Sequence, residues 1–306
     1  MTKVDLITGF LGAGKTTFLA RYGEWLGRQG CRFTIIGNEF GGSGIDHAVL
    51  QERFGGAVNE LSGGCICCTL KAGFHSMLAR LAGHCERILV EPSGLFDMDD
   101  FFEILDTLER EGLCEPGMCL TLIDPHSLDN LPDAERLVLR SQLTGTGAVL
   151  WTHADLDPAS PAANSAERVL ELLDLGETLS FYPLPSHQLT DIDFAALQQI
   201  GPVRRTHQRV PINHQMLFQS TILRPSGIFD PERLQQLLCG PLRQGVFGTI
   251  LRLKGFVSAE HGSLAINYTP SGLSVTPCSE KRSTLNIIGH SIDRGRIKNA
   301  LQQIAV

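Results

Sequence analysis

The stretch "GFLGAGKTT" places Gly9, Gly14, Lys15 and Thr16 in the spacing G-x-x-x-x-G-K-[ST]. That spacing suits a chain of phosphates. Glycines let the backbone wrap an anion closely, so that several N–H groups point inward. A helix opening at the lysine adds the positive end of its dipole. Gly9, Gly12, Ala13, Gly14, Lys15, Thr16 and Thr17 are therefore candidate nucleotide-binding residues. Lys15 would reach the β and γ phosphates, and the Thr16 hydroxyl would ligate Mg2+. A chance glycine-rich turn is the alternative, and the strand before the motif and the helix after it argue against that.

Phosphate chemistry of this kind also needs an acid at the end of another strand and a sensor for the terminal phosphate. "ILVEPSG" offers both, since Glu91 follows three aliphatic residues and Gly94 can present a backbone N–H. Lys15, Thr16, Glu91 and Gly94 form the candidate catalytic set. Asp124, which ends "CLTLID", is a weaker acid of the same type.

A second chemistry sits in "GGCICC", where Cys65, Cys67 and Cys68 crowd into four residues. Thiolates bind soft or borderline metals, and Zn2+ is the default for sulfur-rich tetrahedral sites. In an extended segment Cys65 and Cys67 point to one side and Cys68 to the other. A bend after Gly63 and Gly64 would bring all three to one ion. The same residues contain C-x-x-C, the spacing of thiol–disulfide enzymes, and three small side chains can also simply pack. Redox motifs usually open a helix in a small thioredoxin-like unit, which this chain does not resemble, so metal binding leads. The other six cysteines read as small buried hydrophobes.

The elements that must position these groups follow from the apolar pattern. Strands are expected at 3–10, 31–40, 87–94, 118–124, 147–155 and 179–184, with helices at 15–30, 98–110, 134–143 and 166–173 between them. Apolar strands alternating with amphipathic helices predict a parallel sheet covered on both faces. The pattern changes near residue 200. "GPVRRTHQRVP" (201–211) reads as a linker. Beyond it come strands at 215–223, 248–257, 263–269 and 283–290, with helices at 231–238 and 292–304. The expected fold is α/β: a nucleotide-binding domain at 1–200 with a mostly parallel sheet, and a smaller α+β domain at 212–306.

The bulk numbers narrow the class. The 306 residues are 42% hydrophobic and 19% charged, ordinary for a chain with a real core. The formal net charge of −7 and the lack of a basic stripe argue against nucleic acid as a partner. No apolar run is long enough to span a bilayer, and the first residues lack the pattern of a secretory leader. A cytoplasmic location is expected, where thiols stay reduced. Nine cysteines, an odd number, do not suggest a disulfide framework.

With these residues together, the chain resembles the CobW-like family of P-loop GTPases, relatives of the nickel-insertion GTPases of urease and hydrogenase maturation. The resemblance rests on "GFLGAGKTT", "NEFGGSGID", "ELSGGCICC", "EPSG" and "LRLKG", and it spans nearly the whole chain. It implies slow Mg2+-dependent GTP hydrolysis, binding of Zn2+ or another transition metal such as Co2+ by C-x-C-C, and delivery of metal to a client metalloprotein or a metal-dependent pathway enzyme. A homodimer is compatible with it.

Two departures stand out. Such GTPases read guanine with N-K-x-D, and the matching residues here are Thr152, His153 and Asp155 in "THAD". Asp155 keeps the carboxylate that accepts two N–H donors from guanine, while His153 replaces the lysine and Thr152 the asparagine. In "NEFGGSG", Gly42 stands where the family often has a second glutamate, leaving Glu39 as the segment's carboxylate; Glu39 or water is the candidate exchangeable fourth ligand beside the three thiolates. The cysteines lie in sequence between "NEFGG" and "EPSG", so nucleotide state and metal site are expected to be coupled. Competing readings are a nucleotide- and metal-responsive binding module with little hydrolysis, and a kinase-like phosphotransferase, for which no arginine-bearing lid is evident.

Overall fold

The computed structural model describes residues 1–37, 45–60, 71–95, 98–128, 133–153, 169–171, 179–204, 218–270, 272–280 and 282–305. They form two compact units, Met1–Ile212 and Asn213–Val306. Among the described residues no helix is long and apolar enough to cross a membrane.

The first unit is built on six parallel strands: β1 (Thr2–Gly9), β2 (Phe33–Gly37), β3 (Val58–Glu60), β4 (Arg87–Glu91), β5 (Cys114–Ile123) and β6 (Ala148–Trp151). Their order across the sheet is β3-β2-β4-β1-β5-β6. Alternate residues feed opposite cores. Ile7, Ile35 and Leu89 pack with α1 (Lys15–Arg28) and with Leu50 of α2 (Ile45–Phe54). Leu6, Ile36, Ile88 and Val90 pack with α3 (Lys71–Leu81) and α4 (Met98–Arg110) on the other face. A further helix, α5 (Asp133–Thr144), sends Leu139 and Leu143 against Val149 and Trp151. Helices thus cover both faces, as the alternation of apolar strands and amphipathic segments requires.

The phosphate loop is carried by α1, which is fixed by aromatic packing. Phe18, Tyr22 and Trp25 recur at four- and three-residue steps and share one face. Phe194 of the short helix Asp191–Leu197 lies against all three, with ring centroids 5.9–6.0 Å away. That helix has a Thr190–Asp193 capping box.

One buried charge ties this face together. Both Asp5 oxygens accept from Arg87 Nη1, at 2.6 and 2.7 Å. Asp5 also accepts from the Met118 N–H at 2.7 Å and the Tyr22 hydroxyl at 3.1 Å. Burial pushes the Asp5 carboxyl above its ordinary range, and Arg87, Met118 and Tyr22 pull it back. Burial, and then the Asp5 charge, push the Tyr22 hydroxyl up, which keeps it a donor.

The second unit is a five-stranded antiparallel sheet in the order β10-β9-β8-β11-β7. Its strands are β7 (Gln219–Leu223), β8 (Thr249–Ala259), β9 (Gly262–Thr269), β10 (Gly272–Cys278) and β11 (Thr284–His290). Helices Pro231–Leu237 and Arg294–Ile304 bury Leu234, Ile297 and Leu301 in the same core.

Several expectations change. The strand expected at 179–184 is a single bridge between Phe181 and Val149. Val149 and Tyr182 each donate one backbone bond there, and Pro183 and Pro185 then supply no N–H to extend the ladder. The stretch "LRLKG" lies on an inner strand, because β8 pairs with both β9 and β11. Cys114 and Cys119 are buried as expected and Cys31, Cys85 and Cys278 partly so, but Cys239 is exposed. Burial pushes the Cys31 and Cys114 thiols up to about 11, which suits packing residues. The first residues of the segment read as a linker are fastened to the first unit. Val203 N–H donates to Gly145 O, and the Arg204 guanidinium pairs with Asp106 and lies 4.9 Å from the Phe102 ring centroid.

Replacing Asp5 by alanine strands a buried guanidinium. Stability of the first unit should fall by about 3–5 kcal/mol, read from the midpoint of urea unfolding. Adding Arg87→Met should recover part of that loss.

Candidate functional site

In a parallel sheet the carboxyl ends of all strands lie along one edge, and loops leaving that edge meet there. The register brings Gly9 beside Leu122, Gly37 beside Glu91 and Ile123 beside Trp151. The phosphate loop, "EPSG", Asp124 and Thr152 therefore leave the same edge.

The loop's shape demands its glycines. Gly9 has φ +145, and a Cβ built on it would collide with the Leu122 carbonyl. Lys15 is buried and donates to Gly9 O at 2.9 Å and Phe10 O at 3.1 Å, curling the loop around its own ammonium. The Thr16 hydroxyl donates to Glu91 Oε1 at 2.7 Å, joining the first turn of α1 to the end of β4. A hydroxyl and a carboxylate side by side form an all-oxygen set, which is the chemistry a hard divalent cation such as Mg2+ requires.

Gly94 packs against the loop. A Cβ there would lie 2.7 Å from Leu11 N and 2.9 Å from Leu11 Cα, so only glycine fits. Its carbonyl accepts from Gln142 Nε2 at 3.1 Å, which fixes the turn from behind. Gln142 was not foreseen in the sequence; on an otherwise amphipathic helix its only signal is a polar side chain on the buried face of α5.

Thr152 and His153, the first two residues of "THAD", come to the loop beside Gly14. A Cβ on Gly14 would lie 3.6 Å from Thr152 Cγ2 and 3.8 Å from His153 Cε1, so both residues border the loop. Thr152 is buried, and among the described residues its hydroxyl has no hydrogen-bond partner. His153 adopts a left-handed φ of 52 and places Nδ1 3.4 Å from Oδ2 of the buried Asp124. Asp124 is held in turn by the His126 N–H at 3.0 Å.

Of the expected site residues, the structure gathers Gly9, Gly12, Ala13, Gly14, Lys15, Thr16, Thr17, Glu91, Gly94, Thr152 and His153 at this edge. Glu39, Cys65, Cys67, Cys68 and Asp155 lie outside the described residues. Among the described residues no group of three or more His, Cys, Asp and Glu side chains is placed to hold a metal. His75 on α3 is turned to Glu111, with Nε2 3.6 Å from Oε2.

A parallel sheet with this loop at its edge defines a P-loop nucleotide-binding protein. Residues 3–178 match the family described as CobW/HypB/UreG, nucleotide-binding domain, and residues 218–305 match the cobalamin synthesis protein cobW C-terminal domain. The chain belongs to the CobW/HypB/UreG family. Zinc chaperone YeiR of Escherichia coli is 31% identical over 159 residues, 51% of this chain and 47% of that protein. Zinc-regulated GTPase metalloprotein activator 1 of Schizosaccharomyces pombe is 27% identical over 179 residues, 55% of this chain and 43% of that protein. The matches span less than half the length of either relative. Among solved structures, the Zn(II)-bound YjiA GTPase from E. coli aligns over 100% of this chain and 99% of that one, at 19% identity and a TM-score of 0.44.

Gly94→Ala should press a methyl group into Leu11 and displace the loop. Nucleotide affinity, measured with a fluorescent GTP analogue, should fall at least roughly tenfold, a loss of about 1.4 kcal/mol, while far-ultraviolet circular dichroism stays that of the parent.

Proposed function

We propose that the chain is a slow Mg2+-dependent GTPase that works as a metallochaperone. In this reading it carries zinc or a similar transition metal on Cys65, Cys67 and Cys68 and couples delivery to the GTPase cycle. The observation that carries the nucleotide half is the 2.7 Å contact of Thr16 with Glu91 at the base of the phosphate loop. It joins the oxygen ligands that would hold a hard divalent cation, beside a loop closed by Gly94 and bordered by Thr152 and His153. The metal half is supported by the thiol cluster in the sequence and by relatives named as a zinc chaperone and a zinc-regulated GTPase.

The roles follow from chemistry. Backbone N–H groups of residues 12–17 cradle the phosphates, and Lys15 neutralises the outer ones. Thr16 and Glu91 would hold Mg2+, which would supply positive charge to offset that building on the phosphates. The Gly94 N–H takes the terminal phosphate, so a change there passes along "EPSG". His153 covers the base, with Asp124 orienting the imidazole, and Asp155 reads its N–H edge. The metal is cargo. Thiolates take it as a soft-ligand site, and Glu39 or water completes a coordination shell open enough to release it. The partner is a client metalloprotein.

Phosphate release from GTP and from ATP, with Mg2+ and with or without one equivalent of Zn2+, tests this reading. GTP turnover should exceed ATP turnover and change with zinc. Cys65→Ser, Cys67→Ser and Cys68→Ser together should remove the zinc response and leave basal turnover. Thr16→Ala should lower turnover by roughly a hundredfold. By linkage, zinc should change GTP affinity by the factor by which GTP changes zinc affinity. Tight GTP binding with no turnover under either condition would overturn the enzyme in favour of a binding module.

A further inference from the structure

The two units carry opposite charge. Met1–Ile212 has 16 Lys and Arg against 28 Asp and Glu, whereas Asn213–Val306 has 10 against 5. Part of the basic excess sits where helix physics disfavours it. Arg294, Arg296 and Lys298 occupy the opening turns of helix Arg294–Ile304, whose first turn holds no acid. A helix N-terminus is the positive end of the dipole and favours acids. Arg294 and Lys298, four residues apart, also repel each other. Asp293 offsets part of this by capping the Arg296 N–H at 2.9 Å, and the Arg296 side chain turns to Val246 O at 3.2 Å.

Arg294 and Lys298 instead line a cavity of about 200 Å³, and Arg224 lines it from the end of β7. Among the described residues none of these three cations forms an ion pair. Leu223 and Leu301, both buried, give the cavity apolar wall, while Ser226 and Gln302 add neutral hydrogen-bonding groups. The walls are held in place. Ile222 and Leu223 pair with Asn286 and Leu285 of β11. The Ile292 N–H, at the approach to the helix, donates to Gln219 Oε1 at 2.7 Å. At the other end of the helix Ala305 bridges to Phe229.

We propose that this cavity binds a compact organic polyanion, a short carbon skeleton bearing two or more carboxylate or phosphoryl groups. Two guanidinium forks match either group bidentately, and Lys298 adds a point charge. The apolar wall takes the skeleton. The volume is below that of a drug-sized pocket, which suits a compact ligand. The like-charge cluster costs stability by itself, and an anion seated among the three cations removes that cost.

The test is calorimetric titration of the full chain with propane-1,2,3-tricarboxylate and with glycerol 1,3-bisphosphate, in the parent, Arg224→Gln, Lys298→Gln and the double variant. We expect saturable binding of at least one anion, weakened by salt, about tenfold weaker in each single variant and lost in the double. Which anion binds separates a carboxylate ligand from a phosphoryl one. Without ligand, Lys298→Gln should melt at the parent's temperature or above it, because repulsion is relieved. GTP affinity should not change in any variant. Binding retained in the double variant would place the anion elsewhere and overturn the proposal. So would binding of a hexaglutamate peptide with neither small anion bound, or no binding at all.

Discussion

One carboxylate holds the first unit in register. Asp5 on β1 takes hydrogen bonds from Arg87 on β4, the Met118 backbone on β5 and Tyr22 on α1. These are the two strands that flank β1 and the helix that follows it. Apolar contacts alone specify register weakly in a sheet buried on both faces, since a two-residue slip keeps every side chain on its face. A buried ion pair does not tolerate that slip, because it would leave charges unpaired in the core. Gly117 belongs to the same arrangement, since a Cβ there would collide with Asp5 Oδ1. Strand rise then carries the register to the opposite edge. Gly9 lies four residues beyond Asp5, and Glu91 four beyond Arg87. The contact between Thr16 and Glu91 is thus set up from the far end of the sheet.

The phosphate loop works inside an acidic unit, so net charge does not explain its affinity for anions. Local groups do. The helix start, the loop N–H groups and Lys15 act at contact distance, where screening and distant carboxylates count little. Lys15 shows how this is prepared. Its ammonium is buried against Gly9 O and Phe10 O, so the charge is already desolvated and aimed into the loop's curve. The basic second unit differs. Arg224, Arg294 and Lys298, which form no ion pair among the described residues, lie at a surface cavity, where long-range field and local charge act together.

What the sequence made legible was what short-range chemistry encodes. The phosphate loop, Glu91 and Gly94 stand in fixed spacing at strand ends, and the apolar runs located five of the six strands of the parallel sheet. Three-residue β3 was not foreseen, since so short a stretch has no period to detect. Strand β10 was hidden by its exposure and by Pro277, which an edge position tolerates. The helix Asp191–Leu197 is only seven residues long, and its role depends on Phe194 meeting three rings from α1. Nothing in the local sequence marks Asp5 and Arg87 as partners, because their pairing spans 82 residues. Gln142 behind Gly94 was unseen for the same reason, and Asp124, read as a second acid of Glu91's type, proved to sit beside His153: support from behind is a tertiary relation without local spacing.

The substitutions at the base-reading edge make physical sense once the backbone is seen. Residue 153 sits at φ 52, a left-handed conformation that a side chain with Cβ adopts with difficulty. Histidine, like asparagine and aspartate, is enriched there. It also brings a ring nitrogen to within 3.4 Å of Asp124, a buried acid on the adjoining strand end. A lysine would offer a flexible stem and a mobile charge, whereas the imidazole offers a flat face oriented from behind. Thr152 is the complementary change. It turns its methyl group toward Gly14, where a branched small side chain fills the space beside the loop. Both residues trade polar reach for shape, so the wall beside the loop at this edge is set by packing.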